Sequence, residues 1–164
     1  MIGRDEFPFD FESLLKEIKE GDLILVLGGI DSGKTTLIKA LYDRLGGGVV
    51  DTDVGQPEIG PPGLISRGTY EGGLEDAYFV GDITPRGNLL QVTAGIARMV
   101  GDASVPCFVD TDGWIEGGAG RVYKSELIDM LEPDRLILLE RGNELENFGS
   151  GLPESEVIKL SAQG

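Results

Sequence analysis

The chain has 164 residues, 40% of them apolar, with 29 acidic against 14 basic side chains, one cysteine and no histidine. That length suits one domain with a core of its own, and no apolar run reaches the roughly 20 residues that a membrane span needs. A net charge of −15 argues against non-specific nucleic-acid binding, which rests on basic surface. The missing histidine removes imidazole triads and His-ligated zinc, and the lone Cys107 removes an internal disulfide.

The N-terminal stretch "MIGRDEFPFDFESLLKEIKEGD" mixes acids and bases and has no apolar h-region, so a cytoplasmic protein is expected. Within it, Phe11, Leu14, Leu15 and Ile18 recur at helical spacing and predict a short amphipathic helix over Asp10–Glu20, ending at Gly21. The run "DLILVLG" (Asp22–Gly28) is continuously apolar between turn residues, as a strand buried on both faces should be. A helix over Lys34–Leu45 and a strand in "GGGVVDTD" follow, and Gln56–Gly73 is rich in Gly and Pro with little periodicity.

A strand is expected at Asp76–Gly81, then a loop, "DITPRG", and a helix over Asn88–Val100 with Leu89, Val92, Ile96 and Met99 or Val100 facing inward. "VPCFVDT" reads as another buried strand, "GWIEGGAG" as a loop and Arg121–Leu131 as a helix. "DRLILLE", a helical turn at Glu144–Phe148 and a short strand in "SEVIKL" complete the chain. Alternating strands and helices predict an α/β fold, a parallel sheet covered by helices on both faces. The chain is read as a single domain over 1–164, with 1–20 as an N-terminal helical extension. Its glycines cluster in loops at the carboxyl ends of strands, where such folds bind ligands.

One of those loops carries a recognisable chemistry. "GGIDSGKTT" contains G-x-x-x-x-G-K-T as Gly28, Gly33, Lys34 and Thr35, between an apolar strand and an amphipathic helix. Glycines let the backbone curl so that its N–H groups face a phosphate, and the following helix adds its positive end. Residues Gly28, Gly29, Ile30, Asp31, Ser32, Gly33, Lys34, Thr35 and Thr36 are therefore assigned to nucleotide binding. Lys34 would reach the β- and γ-phosphates, and the Thr35 hydroxyl would coordinate Mg²⁺. Neither the D-x-x-G nor the N-K-x-D element of switch-type GTPases is read in the chain, which favours ATP. In "VVDTDVGQPEIGPPG" two acids, Asp51 and Asp53, stand at period two at the end of a strand. An acid there either holds Mg²⁺ or receives the proton of an attacking hydroxyl.

The P-loop, "DTDVGQPEIGPPG", "YFVGDITPRGN", "VDTDGWIEGGAG" and "EPDRLILLE" followed by "ELEN" resemble, in order and spacing, the polynucleotide 5′-hydroxyl kinase family. That family includes the RNA 5′-kinases of pre-mRNA cleavage, tRNA splicing and ribosomal RNA processing and their archaeal relatives. The match runs from about Gly21 to Leu160. The resemblance implies ATP and Mg²⁺ as cofactors, a 5′-hydroxyl end of RNA or DNA as acceptor and an RNA-processing protein as partner.

It also implies roles for particular residues. Lys34, Asp53 and Gln56 would be catalytic, with Asp53 contacting both metal and acceptor and Thr35 also on the metal. Thr84 and Asn88 would clasp the phosphate and acceptor, and Trp114 would stack on the terminal base. The family's accessory domains, and the lid arginines that follow its last strand, are expected to fall outside the chain. Arg86 is the expected stand-in for those arginines, ahead of Arg67, Arg121 and Lys124. The residues alone leave two other readings open, a P-loop ATPase acting as a switch or assembly subunit and a small-molecule kinase.

Overall fold

The computed structural model describes residues 6–162; residues 1–5 of the expected N-terminal extension and residues 163–164 lie outside it. Asp10 caps α1 (Phe11–Glu17) by accepting the Ser13 N–H, and the helix stops at Ile18, where the backbone turns extended. The helix is thus a turn shorter than its apolar spacing suggests, because Ile18 buries its side chain from an extended backbone.

Seven strands form one sheet: β1 (Leu23–Gly28), β2 (Gly48–Asp51), β3 (Leu64–Thr69), β4 (Gly73–Phe79), β5 (Cys107–Asp110), β6 (Arg135–Glu140) and β7 (Val157–Ser161). Their order is β4-β3-β2-β5-β1-β6-β7. The five strands β2, β5, β1, β6 and β7 are parallel, as the α/β reading expects. Strands β3 and β4 add an antiparallel hairpin to the edge beside β2.

Successive residues of the central strands point to opposite faces, and both faces are covered. Leu25, Leu27, Val109, Leu136 and Leu138 pack on one side, under α3 (Leu89–Gly101) and α4 (Gly117–Leu131). Ile24, Val26, Phe108, Ile137 and Leu139 pack on the other with α1 and α2 (Lys34–Leu45). This two-sided burial explains why the strands read as unbroken apolar runs. No helix among the described residues is long and apolar enough to cross a membrane.

Besides the shorter α1 and the antiparallel hairpin in a sheet expected to be parallel, the structure departs from the sequence reading in four places. Strand β3 lies inside the stretch expected to be irregular, β4 begins at Gly73 rather than Asp76, and α4 begins at Gly117 rather than Arg121. In place of a helical turn at Glu144–Phe148 there are two hydrogen-bonded turns, Glu146 N–H to Asn143 and Phe148 N–H to Leu145, which bury Leu145 and Phe148.

Cys107 sits on β5 beneath the helices, 2% exposed, and burial pushes its thiol up to about 12. The native protein should therefore resist iodoacetamide at about pH 8 and react promptly in denaturant. Mass spectrometry of timed samples checks this, and rapid native alkylation would contradict the packing.

Candidate active site

Parallel strands β2, β5 and β1 deliver their carboxyl ends to one edge, and the loops leaving them enclose a cleft of about 1120 Å³. The loop after β1 is the P-loop. It closes around Lys34, whose ammonium donates to the carbonyls of Gly28 (2.9 Å) and Gly29 (2.8 Å). A Cβ on Gly28 would fall 2.3 Å from Ser32 Oγ, so only glycine admits this curl. Gly33, left-handed at φ 94°, then turns the chain into α2. Burial pulls the Lys34 ammonium below its ordinary pKa, against the attraction of Asp110, Asp112 and Asp53.

The acid bonded to the P-loop is Asp110, at the tip of β5: Thr35 Oγ1 donates to its Oδ2 at 2.7 Å. The sequence reading gave Asp110 no role and found no D-x-x-G, but Asp110–Gly113 is one, at the end of an apolar strand, and is the signal that would have found it. Asp110 pairs in register with Asp51 on β2, so two carboxylates lie side by side on neighbouring strand tips. Asp51 accepts N–H groups from Asp53, Glu58 and Ile59. Burial, reinforced by the Asp110 charge, still pushes its carboxyl up to about 7. Burial likewise pushes Asp110 up to about 6, against the Thr35 hydrogen bond and the Lys34 charge.

Asp53 stands half-buried just beyond β2, where its Oδ1 accepts the N–H groups of Gly55 and Gln56 and folds its own loop. Asp53, Gln56, Thr84, Arg86 and Trp114 all line the cleft with the P-loop residues Gly29 to Thr36. Asn88 is not among the lining residues. Although it occupies the N-cap position of α3, its side chain makes no capping bond; it donates to Asp82 and to the Thr84 and Arg86 carbonyls instead, bracing the loop from behind.

Trp114 is half-buried, with its indole against Gly120, where a Cβ would come 2.8 Å from Nε1. Its backbone N–H is held by Asp112 Oδ1, which also accepts from the fully buried Lys124 at 2.8 Å. The Arg86 guanidinium lies over the indole, 4.9 Å from the ring centroid.

The other expected stand-ins are engaged elsewhere. Arg67 bonds Asp76 and the Asp102 carbonyl, Arg121 bonds the Glu144 carbonyl and covers Phe148, and Lys124 is buried on Asp112. Arg141, which the sequence reading passed over, bonds the P-loop itself.

A strand, a glycine loop curled on a buried lysine, a helix and a neighbouring strand-tip aspartate bonded to the loop threonine define a P-loop nucleotide-binding domain. The comparisons with known proteins narrow that class. Residues 28–164 match the family model described as mRNA cleavage and polyadenylation factor CLP1 P-loop, and the chain belongs to that family.

Among relatives, the polyribonucleotide 5′-hydroxyl-kinase of Methanocaldococcus jannaschii is 37% identical over 162 residues, covering 87% of this chain and 45% of the relative. The enzyme of the same name from Pyrococcus horikoshii is 34% identical, covering 89% and 44%. The chain thus spans less than half the length of these two relatives. In fold it is similar to the solved wild-type Clp1p–Pcf11p complex, with TM-score 0.72 and 18% identity over 93% of this chain and 46% of that one.

The raised pKa of Asp51 makes a prediction about pH. The fold favours its neutral form, so its contribution to stability is full below the unfolded value of about 4 and is lost as pH rises through the folded value. Asp51→Asn, neutral at every pH, loses nothing over that range. Its melting temperature relative to the unsubstituted protein should therefore climb between about pH 4 and about pH 7 and level off above that. Parallel thermal melts measure the difference, and a flat one would contradict the burial of this carboxylate.

Proposed function

We propose that the chain binds MgATP and transfers its γ-phosphoryl group to the 5′-hydroxyl end of RNA or DNA. The observation that carries this reading is the meeting, in one cleft, of the P-loop, strand-tip acids and a tryptophan. Phosphate grip and acid alone would serve hydrolysis. An indole in the same cleft adds a surface on which a base stacks without being read, worth roughly 1–3 kcal/mol. The names of the archaeal relatives support the same activity.

The donors fit the cofactor. The Thr35 hydroxyl and the carboxylates of Asp110 and Asp53 are hard oxygen ligands, which suit Mg²⁺. Among the described residues no three acidic, histidine or cysteine side chains form a metal cage, so nucleotide phosphates and water would complete the shell. Bound Mg²⁺ would neutralise charge on the β- and γ-phosphate oxygens.

Lys34 is drawn from its carbonyl partners toward the phosphates, and the P-loop N–H groups hold the triphosphate in place. The acceptor oxygen attacks the γ-phosphorus in line; its new P–O bond forms as the bond to the bridging oxygen breaks and ADP departs. The hydroxyl proton passes to the Asp53 carboxylate. Gln56 and Thr84 orient the transferring group, Asn88 keeps the Thr84 loop in shape, and Trp114 seats the terminal base. The chemistry asks the protein mainly to position and to neutralise.

In this reading residues 1–164 act as one kinase-like unit, with 1–20 as an extension, in cytoplasmic RNA processing. The solved neighbour's complex with Pcf11p supports a protein partner.

Lys34→Ala should abolish MgATP binding while the sheet and helices stay folded, because the ammonium bonds only the phosphate loop itself; calorimetric titration beside a thermal melt reads this directly. Asp53→Asn should keep much of the ATP affinity and lose roughly 10²–10⁴ in transfer. End-labelling of 5′-hydroxyl oligonucleotides, run beside ATP hydrolysis without acceptor, is the decisive assay. Hydrolysis with no labelled end would make the protein an ATPase and end the kinase reading.

A further inference from the structure

Arg141 follows the last residue of β6, the strand beside β1, and so emerges next to the P-loop. Its Nη1 donates to the Ile30 carbonyl at 3.0 Å and its Nη2 to the Asp31 carbonyl at 2.6 Å. Asp31 has φ 56°, a left-handed conformation that a residue with a side chain seldom adopts. The guanidinium therefore clamps the carbonyl of the strained residue in the loop. The turn that presents it is itself tied, since Glu144 accepts the backbone N–H groups of Arg141 and Gly142 at 2.7 and 2.9 Å.

Two carbonyls do not exhaust a guanidinium, which carries five N–H donors. Arg141 is exposed, lines the cleft with Lys34 and Thr35, and among the described residues has no carboxylate within ion-pair reach of its guanidinium. Of the basic side chains that line the cleft, Lys34 is turned onto carbonyls and Arg86 onto the Trp114 ring, which leaves Arg141 as the exposed guanidinium beside the P-loop. Arg141 is also near enough to Lys34 for its charge to weigh against protonation of that lysine. Lys34 is buried against carbonyls, and Arg141 stands beside Glu144, whose oxygens are taken by the backbone N–H groups of Arg141 and Gly142; the two cations line one cleft and form a site for a polyanion.

We propose that Arg141 is a second phosphate-binding cation of the nucleotide site, bracing the P-loop through two N–H groups and meeting the triphosphate of the bound nucleotide with those that remain. This rests on the nucleotide-binding part of the proposed function and not on the acceptor. It gives the chain an arginine at the phosphates from the end of a core strand, where Arg86 is turned onto Trp114.

The experiment is calorimetric titration of ATP, AMP and inorganic tripolyphosphate into the full chain, Arg141→Met and Arg141→Lys, with thermal melts to confirm folding. Arg141→Met should weaken ATP and tripolyphosphate by about tenfold and AMP by less than about twofold. Arg141→Lys keeps the charge but not the planar fork, and should recover most of the tripolyphosphate affinity. Lysine as poor as methionine would mean that the side chain acts only as a brace, and unchanged tripolyphosphate affinity in Arg141→Met would mean that it does not meet phosphate; either overturns the proposal. If the unsubstituted chain binds neither ATP nor tripolyphosphate, the nucleotide reading falls with it. Normal binding that ignores Arg141 leaves that reading standing.

Discussion

Two ammonium groups withdrawn from water set the shape of this protein's working edge. A buried charge must be hydrogen-bonded or paired, because the cost of desolvating it is otherwise several kcal/mol. Lys34 is solvated by the carbonyls of Gly28 and Gly29, which obliges the loop to curl and leaves no space for a side chain on Gly28. Lys124, with no exposed surface, is answered by Asp112, and the same carboxylate oxygen takes the N–H of Trp114. One lysine thus shapes the phosphate loop, and the other anchors the acid that holds the backbone of Trp114 beside it.

The same groups explain how a strongly acidic chain offers a place to an anion. Net charge governs long-range approach and says little about a cleft a few ångströms across, where partners are fixed. At this edge Asp51 and Asp110 are crowded on adjacent strand tips and raised by burial, and Lys34, Arg86 and Arg141 line the same cleft. A divalent cation would relieve that crowding, which gives the paired acids a physical reason to coexist with a phosphate loop.

The sequence made the parallel core and the phosphate loop legible because each rests on a local pattern. An unbroken apolar run is a strand buried on both faces, and α2 was expected and found at Lys34–Leu45. The hairpin was hidden because β3 is an edge-side strand of mixed polarity, "LISRGT", with an irregularity at Arg67/Gly68 where Gly68 lies against Gly73. The start of α4 was hidden by glycines that read as loop; Gly120 is helical and also leaves space for the indole.

At the site, single motifs were legible and their pairings were not. Thr35 meets Asp110 across 75 positions of sequence, and Arg141 meets Ile30 across 111, contacts that only the sheet order creates.

That sheet order also gives the motif glycines a shared meaning. Gly55 of "DVGQ" lies where a Cβ would come 2.8 Å from the Ile83 carbonyl, which lets the Thr84 loop lean on the Asp53 loop. Gly113 of "DGW" lies where a Cβ would come 2.6 Å from the backbone of Ile30, so the tryptophan loop rests directly on the P-loop. Ile30 in turn is bonded by Arg141. Contacts this close transmit displacement, because a packed backbone has no free volume in which to absorb a methyl group. The phosphate loop is therefore held from both sides, by Gly113 on the strand β5 side and Arg141 on the strand β6 side, and its geometry depends on the whole carboxyl edge of the sheet rather than on the P-loop glycines alone.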